Sequence, residues 1–114
     1  MVKIWLDDER KSPSGFIHFH SVNEVIDFIL TSGYTAFYLD LDHDLGEYAN
    51  DGGDATKLIN WLLWNGYHEN TGYTFKFHLH TANAVGYANM KSDIVRYFGQ
   101  NALDMWGDSY DFWS

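Results

Sequence analysis

Val2-Lys3-Ile4-Trp5-Leu6-Asp7-Asp8-Glu9-Arg10 opens the chain as a short run of strand formers stopped abruptly by charge. Two later apolar runs stop the same way. Residues 35–41 end at Asp42-His43-Asp44, and residues 75–79 end at His80-Thr81-Ala82-Asn83. In an open α/β sheet the carboxyl ends of parallel strands share one edge, and ligands bind in the crevice outside it. The three clusters therefore predict a single site at a single sheet edge.

The intervening sequence supports such a sheet. Lys11-Ser12-Pro13-Ser14-Gly15 is turn chemistry, and a short strand is expected over 15–20. Ser21 and Glu24 stand in capping-box spacing, while Val22, Val25, Ile26, Ile29 and Leu30 recur at helical intervals as far as Gly33. Residues 44–54 form a long loop carrying Gly46, Gly52 and Gly53 among acidic residues, a segment expected to flex or close over a ligand. Ala55, Leu58, Ile59 and Leu62 mark a second helix that Asn65-Gly66 ends. Tyr87, Met90, Ile94, Tyr97 and Phe98 mark a third, starting soon after Asn83 and stopping by Gly99. The tail over 101–114 mixes Trp106, Tyr110, Phe112 and Trp113 with aspartates and receives no assignment. The order β-β-α-β-α-β-α predicts one α/β domain over 1–114: a doubly wound, mainly parallel, four-stranded sheet lacking one helix of the usual repeat.

Composition narrows the function classes. The chain has 114 residues, 46% hydrophobic, no cysteine and a formal net charge of −9. One compact domain fits that length. The acidity and the scattered Lys and Arg exclude a broad duplex nucleic-acid surface, although a small phosphate ligand is compatible with a local cation or donors. Without cysteine there is neither a disulfide framework nor a thiolate site. No signal-like start and no bilayer-length apolar run is present, so no membrane partner is expected and a cytoplasmic location is.

Asp7, Asp8 and Asp42 share the predicted edge. At an effective dielectric of about 20, two carboxylates roughly 4 Å apart repel by about 4 kcal/mol, so the trio needs a cation, a shared proton or a basic neighbour such as Arg10. Hard oxygen ligands favour Mg²⁺, Mn²⁺ or Ca²⁺, and an imidazole in the set shifts preference towards Mn²⁺ or Zn²⁺. A divalent metal, Mg²⁺ or Mn²⁺ ahead of Zn²⁺, is the expected cofactor. His43 and His80 adjoin polar groups at the crevice and are candidates for acid, base or ligand, whereas His18, His68 and His78 read as packed or surface residues. Asp40 falls inside the sheet by strand alternation and needs a partner. Asn83 caps the third helix, whose free N–H groups, with the Thr81 hydroxyl, offer an anion site. The aromatic stripe of Trp61, Trp64, Tyr67 and the tail reads as core or a homodimer surface rather than a base-stacking platform, because Arg and Lys are not interleaved with it.

Taken together, Leu6-Asp7-Asp8-Glu9-Arg10, Leu41-Asp42-His43-Asp44-Leu45-Gly46, Asp51-Gly52 with Asp54, and His80-Thr81-Ala82-Asn83 with Gly86 and Asn89-Met90 resemble the cyclic-phosphate processing receiver-like domain family. The resemblance implies a receiver-derived fold and activity on cyclic phosphates of nucleotides or RNA ends. It also implies a site of Asp7, Asp8, Arg10, Asp42, His43, Asp44, His80 and Asn83. Thr81 stands where many members have Ser, and the aromatic tail is idiosyncratic. The expected partner is then a cyclic nucleotide or cyclic-phosphate-ended RNA. Asp7, Asp8 and Asp42 would hold the metal, while His43 or His80 moves the proton and Asp44 orients His43 or the metal-bound water. Arg10, Thr81 and Asn83 would bind the phosphate. Two alternatives remain: a non-catalytic protein that sequesters a cyclic nucleotide, and a phosphoacceptor receiver. The second lacks its usual lysine, since no Lys follows Lys91.

Overall fold

The structure, a computed structural model, describes residues 1–69 and 72–104. Strands β1 (Val2–Leu6), β2 (Ile17–Phe19), β3 (Ala36–Leu41) and β4 (Thr74–Leu79) form one sheet in the order β2-β1-β3-β4. Every pairing in it is parallel. Helices α1 (Val22–Thr31), α2 (Ala55–Trp64) and α3 (Ala84–Phe98) follow β2, β3 and β4. This is the receiver-like, all-parallel α/β architecture expected from the sequence, with no helix between β1 and β2; among the described residues all three helices pack on one face, because the crossovers β2-α1-β3 and β3-α2-β4 run in the same direction. The omission is geometrically cheap. At about 3.3 Å per residue a three-residue strand requires a return of only about 10 Å. The irregular segment 7–16, which bends over 8–10 and turns through a Phe16 N–H to Pro13 C=O bond, covers that distance.

Strand alternation divides the sheet into two unlike faces. Ile4, Leu6, Phe37, Leu39, Leu41, Phe75, Phe77 and Leu79 point to the face where Val25 and Ile29 of α1, Leu58 and Leu62 of α2, and Met90 and Ile94 of α3 complete the apolar core. Lys3, Trp5, Tyr38, Asp40, Lys76 and His78 occupy the other. Across that second face the register sets Trp5 beside Asp40 and Asp40 beside His78. Phe16 packs there, edge-on to both Trp5 and Tyr38.

The helix ends follow the sequence signals. The Ser21 hydroxyl accepts from the Glu24 N–H at 3.2 Å and Glu24 accepts from the Ser21 N–H at 2.9 Å, so the capping box is formed. Asp54 caps α2 and Asn83 caps α3, each accepting from a first-turn N–H. The loop over 44–54 contains a 3-10 turn, Gly46–Asn50. Asp51 ties it to α1, accepting from the Ser21 hydroxyl at 2.7 Å and the Asn23 amide at 3.0 Å. The Ala55 N–H donates to the His43 carbonyl and closes the base of the loop. The loop expected to act as a flap is thus fastened at its far end.

After α3 a 3-10 turn, Gln100–Ala102, leads to Leu103, which makes one parallel bridge with Phe77. The Asp104 N–H adds a bond to the Phe77 carbonyl at 2.7 Å. The position beside β4 is therefore taken, among the described residues, by a single bridging residue, Leu103. Trp106, Tyr110, Phe112 and Trp113 lie outside the described residues. Of the rest of the aromatic stripe, Trp61 and Tyr67 pack against the core, whereas Trp64 is 89% exposed. Among the described residues, no helix is long and apolar enough to cross a membrane.

Candidate functional site

Three chain segments leave the sheet at one edge and enclose a cleft of about 320 Å³. Asp8, Glu9 and Arg10 come from the end of β1. Asp42, Asp44 and Gly46 follow β3, and Thr81, Ala82 and Asn83 follow β4. The edge is held by extension of the ladder beyond the strands. Asp7 donates its N–H to Phe19, Asp42 to Leu6, and His80 to Leu41. A larger hollow of about 640 Å³ along α3, beside Tyr87, Lys91 and Arg96, contains none of these groups. The smaller, polar cleft is therefore the candidate site.

Asp7, Asp8 and Asp42 each place one carboxylate oxygen within 4.8 Å of the others. Asp7 is buried, and burial pushes its carboxyl up. The His80 bond and the N–H groups of Arg10 and Glu9 outweigh that penalty and hold it below its ordinary range. The Glu9 and Arg10 bonds, 2.8 and 2.7 Å to Asp7 Oδ1, make an Asx turn that brings the following residues round into the cleft. Asp42 is pushed up to about 6, first by burial and then by the negative charge of Asp7. Its hydrogen bond with the Thr81 side chain opposes the rise. Gly46, at φ +56°, lies so close to Asp8 that a Cβ there would stand 2.6 Å from Asp8 Oδ2. All-oxygen donors of this charge fit a hard divalent cation such as Mg²⁺ or Mn²⁺.

The opposite wall supplies donors. Thr81 Oγ1 accepts from the Asn83 N–H at 3.1 Å. Asn83 Oδ1 caps α3 through the Gly86 N–H at 2.9 Å, which leaves its amide group to bond Asp44 at 3.1 Å. Arg10 lines the same cleft.

Neither of the two histidines expected at the crevice lines it. His43 stands behind Asp44, with Nδ1 at 2.9 Å from Asp44 Oδ1 and Nε2 at 3.8 Å from Asp54 Oδ2; its side chain is 15% exposed. Burial raises the Asp44 carboxyl only slightly against its bond with His43, which is the larger influence and holds it below its ordinary range. His80 has a fully buried side chain. Its Nε2 is 2.9 Å from Asp7 Oδ2 and its Nδ1 2.6 Å from Asp40 Oδ1, with the ring stacked on Trp5 at 3.7 Å. Direct proton transfer from His80 to a ligand in the cleft is closed off by that burial. Burial alone would lower the His80 pKa, but the bonds to Asp40 and Asp7 raise it overall.

His18, His68 and His78 occupy packed positions. His18 bonds the Asp7 carbonyl and stacks on His20, His68 packs against Tyr97 and Phe98, and His78 bonds Asp40 at 2.9 Å. Asp51 and Asp54 serve the loop and a helix cap, as described. The sequence placed Gly86 in the family pattern but did not show its contact with His43, nor the pairing of Asp40 with both β4 histidines. The second was accessible in principle, because aligning the strands by their charged ends brings Asp40 beside His78.

Gly86 is the seat of His43. A Cβ at this position would lie 2.4 Å from the ring Cγ and 2.8 Å from Nδ1, although the backbone there is ordinary helix. Gly86→Ala gains about 1 kcal/mol of helix propensity but must expel a half-buried imidazole, an overpacking cost of about 1–3 kcal/mol. The expected result is net destabilisation in denaturant titration, with the His43 ring resonances displaced. Equal or greater stability with unmoved His43 resonances would show that the ring is not seated there.

The family model described as the cyclic-phosphate processing receiver domain matches residues 2–96. Neither a curated protein nor a solved structure matches the chain. The matched stretch runs from β1 into the last turn of α3 and contains every residue of the cleft, so the chain belongs to the family of cyclic-phosphate processing receiver domains.

Proposed function

We propose that the cleft binds a divalent cation and hydrolyses a cyclic phosphodiester of a nucleotide or an RNA end. The observation that supports this most is that Asp8 and Asp42 line one small cleft together with Arg10, Thr81 and Asn83, and place carboxylate oxygens within 4.8 Å of one another and of the buried Asp7 beneath. Asp7, Asp8 and Asp42 hold the cation, Mg²⁺ or Mn²⁺. When bound, it supplies positive charge against the phosphoryl oxygens and Lewis-acid activation of water.

The remaining work falls to the chain itself. Arg10, Thr81 and the N-terminus of α3 at Asn83 take the phosphoryl oxygens, and their stabilisation grows as charge develops on phosphorus. Water adds its oxygen to phosphorus, one ring P–O bond breaks, and the leaving oxygen must gain a proton. The Asp44–His43 pair moves that proton: Asp44 lines the cleft, and His43 is the partly exposed imidazole bonded to it. His80 acts from beneath, on Asp7.

The recessed position of His43 favours a second reading, a binder that sequesters cyclic nucleotide unaltered. Incubation with 2′,3′- and 3′,5′-cyclic nucleotides and Mn²⁺, with chromatography of the recovered nucleotide and calorimetry on the same ligand, separates the two. Linear monophosphate supports the hydrolase. Intact ligand bound tightly supports the binder, and absence of both product and binding overturns the cleft as a cyclic-phosphate site.

The Asp42 carboxyl gives a pH signature. Its folded pKa, about 6, lies above the unfolded value, so it binds a proton in the folded state that the unfolded state releases. Its contribution favours folding at acid pH and is lost as pH rises through about 6. Asp7, shifted the other way, loses its contribution only at pH below the ordinary carboxylate range. The rise in Tm produced by Mg²⁺ should therefore grow as pH is raised through about 6 and then level off. A pH-independent rise would remove Asp42 from the cation site.

A further inference from the structure

We propose that Asp40 is a positioning residue of the cleft, acting on the Asp7 carboxylate through the His80 ring. The inference rests on the reading of the cleft as a cation site. Asp40 is 1% exposed, lies on the face of the sheet away from the helices, and does not line the cleft. One of its oxygens, Oδ1, receives both His78 Nδ1 at 2.9 Å and His80 Nδ1 at 2.6 Å. His80 continues the chain, placing Nε2 at 2.9 Å from Asp7 Oδ2. Trp5, stacked on the ring within 5° of parallel, leaves it no rotation.

Counting donors shows what this achieves. A carboxylate only accepts, so an imidazole with a carboxylate oxygen at each nitrogen uses both as N–H donors and stands between Asp7 and Asp40 as a cation. Asp7 thereby receives three bonds: the Glu9 and Arg10 N–H groups on Oδ1 and His80 on Oδ2. Of the roughly four lone-pair positions of a carboxylate, three are taken. The plane of the group is fixed, and one position is left for a cation. Without the Asp40 acceptor, the His80 ring loses the bond that holds its Nε2–H on Asp7, and Asp7 is free to turn. Partners that orient a ligand in this way are worth on the order of 10- to 100-fold in metal affinity.

Asp40→Asn preserves volume, removes the negative charge and replaces one of the two carboxylate oxygens by an NH2 donor, so that one neutral acceptor remains for the two histidines. The test is calorimetric titration of the intact protein with Mg²⁺, wild type against Asp40→Asn, together with side-chain ¹⁵N NMR of His80 during the wild-type titration. The expected result is an affinity at least tenfold weaker in the variant. In the wild type, the His80 ring signals should move along the same saturation curve as the heat. Wild-type affinity in a folded Asp40→Asn overturns the inference and leaves the cation site standing. His80 signals that stay fixed through a saturating wild-type titration overturn it equally, even if the variant does not fold. Absence of any Mg²⁺ heat in the wild type overturns the cation reading, and this inference with it.

Discussion

Asp8→Asn is expected to lower turnover of a cyclic phosphate by about 10³ or more and to abolish the divalent-ion rise in Tm, while the apo protein melts no earlier than wild type. The reasoning combines two opposed effects. Asp8 belongs to a trio whose oxygens lie within 4.8 Å, so removing its charge relieves repulsion of up to about 4 kcal/mol per close pair at an effective dielectric near 20. The same change removes a ligand to the cation. Loss of about 4 kcal/mol of transition-state stabilisation corresponds to about 10³ in rate. Stability and activity should thus move in opposite directions, which a merely structural aspartate would not produce. Melts with and without Mn²⁺, beside initial rates, check it. A variant that loses stability in the apo state and retains the Mn²⁺ shift would place Asp8 outside the cation site.

His43→Ala is expected to cost on the order of 10² to 10⁴ in rate with little change in ligand affinity, because general acid–base catalysis acts mainly in the transition state. The fold should tolerate it. His43 sits on Gly86 in the first turn of α3, and its loss leaves Asp44 still bonded to Asn83. His80→Ala is not an equivalent probe. It strands Asp7 and Asp40 as buried carboxylates without their shared partner, a loss of about 3–5 kcal/mol in stability. If His43→Ala altered affinity alone, and the ligand were recovered intact from wild type, the protein would be a cyclic-nucleotide binder.

The contrast between the two histidines shows what the sequence made legible. The strand ends, the capping box at Ser21 and Glu24, and the apolar faces of α1, α2 and α3 all follow from periodicity and short-range chemistry. The grouping of Asp7, Asp8 and Asp42 followed from a single rule about parallel strand ends. Depth at that edge was not legible. His80 and Thr81 are adjacent in sequence, yet one is buried beneath the sheet edge and the other lines the cleft, because alternation continues one residue past β4. The acidic glycine-bearing loop read as a flap because nothing local shows that Asp51 bonds Ser21 and Asn23, some thirty positions away. Asp40 was known to need a partner. That its partners are both β4 histidines depends on strand register, which is a long-range property.

The absent receiver lysine also takes on a physical meaning. No Lys follows Lys91, and on the proposed reading a bound cation, with Arg10 and the His80 ring, would offset the acidic trio. Acetyl phosphate with Mg²⁺ should accordingly leave the intact mass unchanged. A gain of one phosphoryl group that Asp42→Asn removes would instead favour phosphoacceptor signalling.

On the proposed reading, one cleft holds a divalent cation and a cyclic phosphate side by side. Paramagnetic broadening of the ³¹P line tests it directly, with a 2′,3′-cyclic nucleotide, protein in excess over Mn²⁺, and a short acquisition time. Strong broadening is expected in wild type, reversed by EDTA and absent in Asp8→Asn. A cyclic nucleotide that binds with its ³¹P line unbroadened by Mn²⁺ would contradict it.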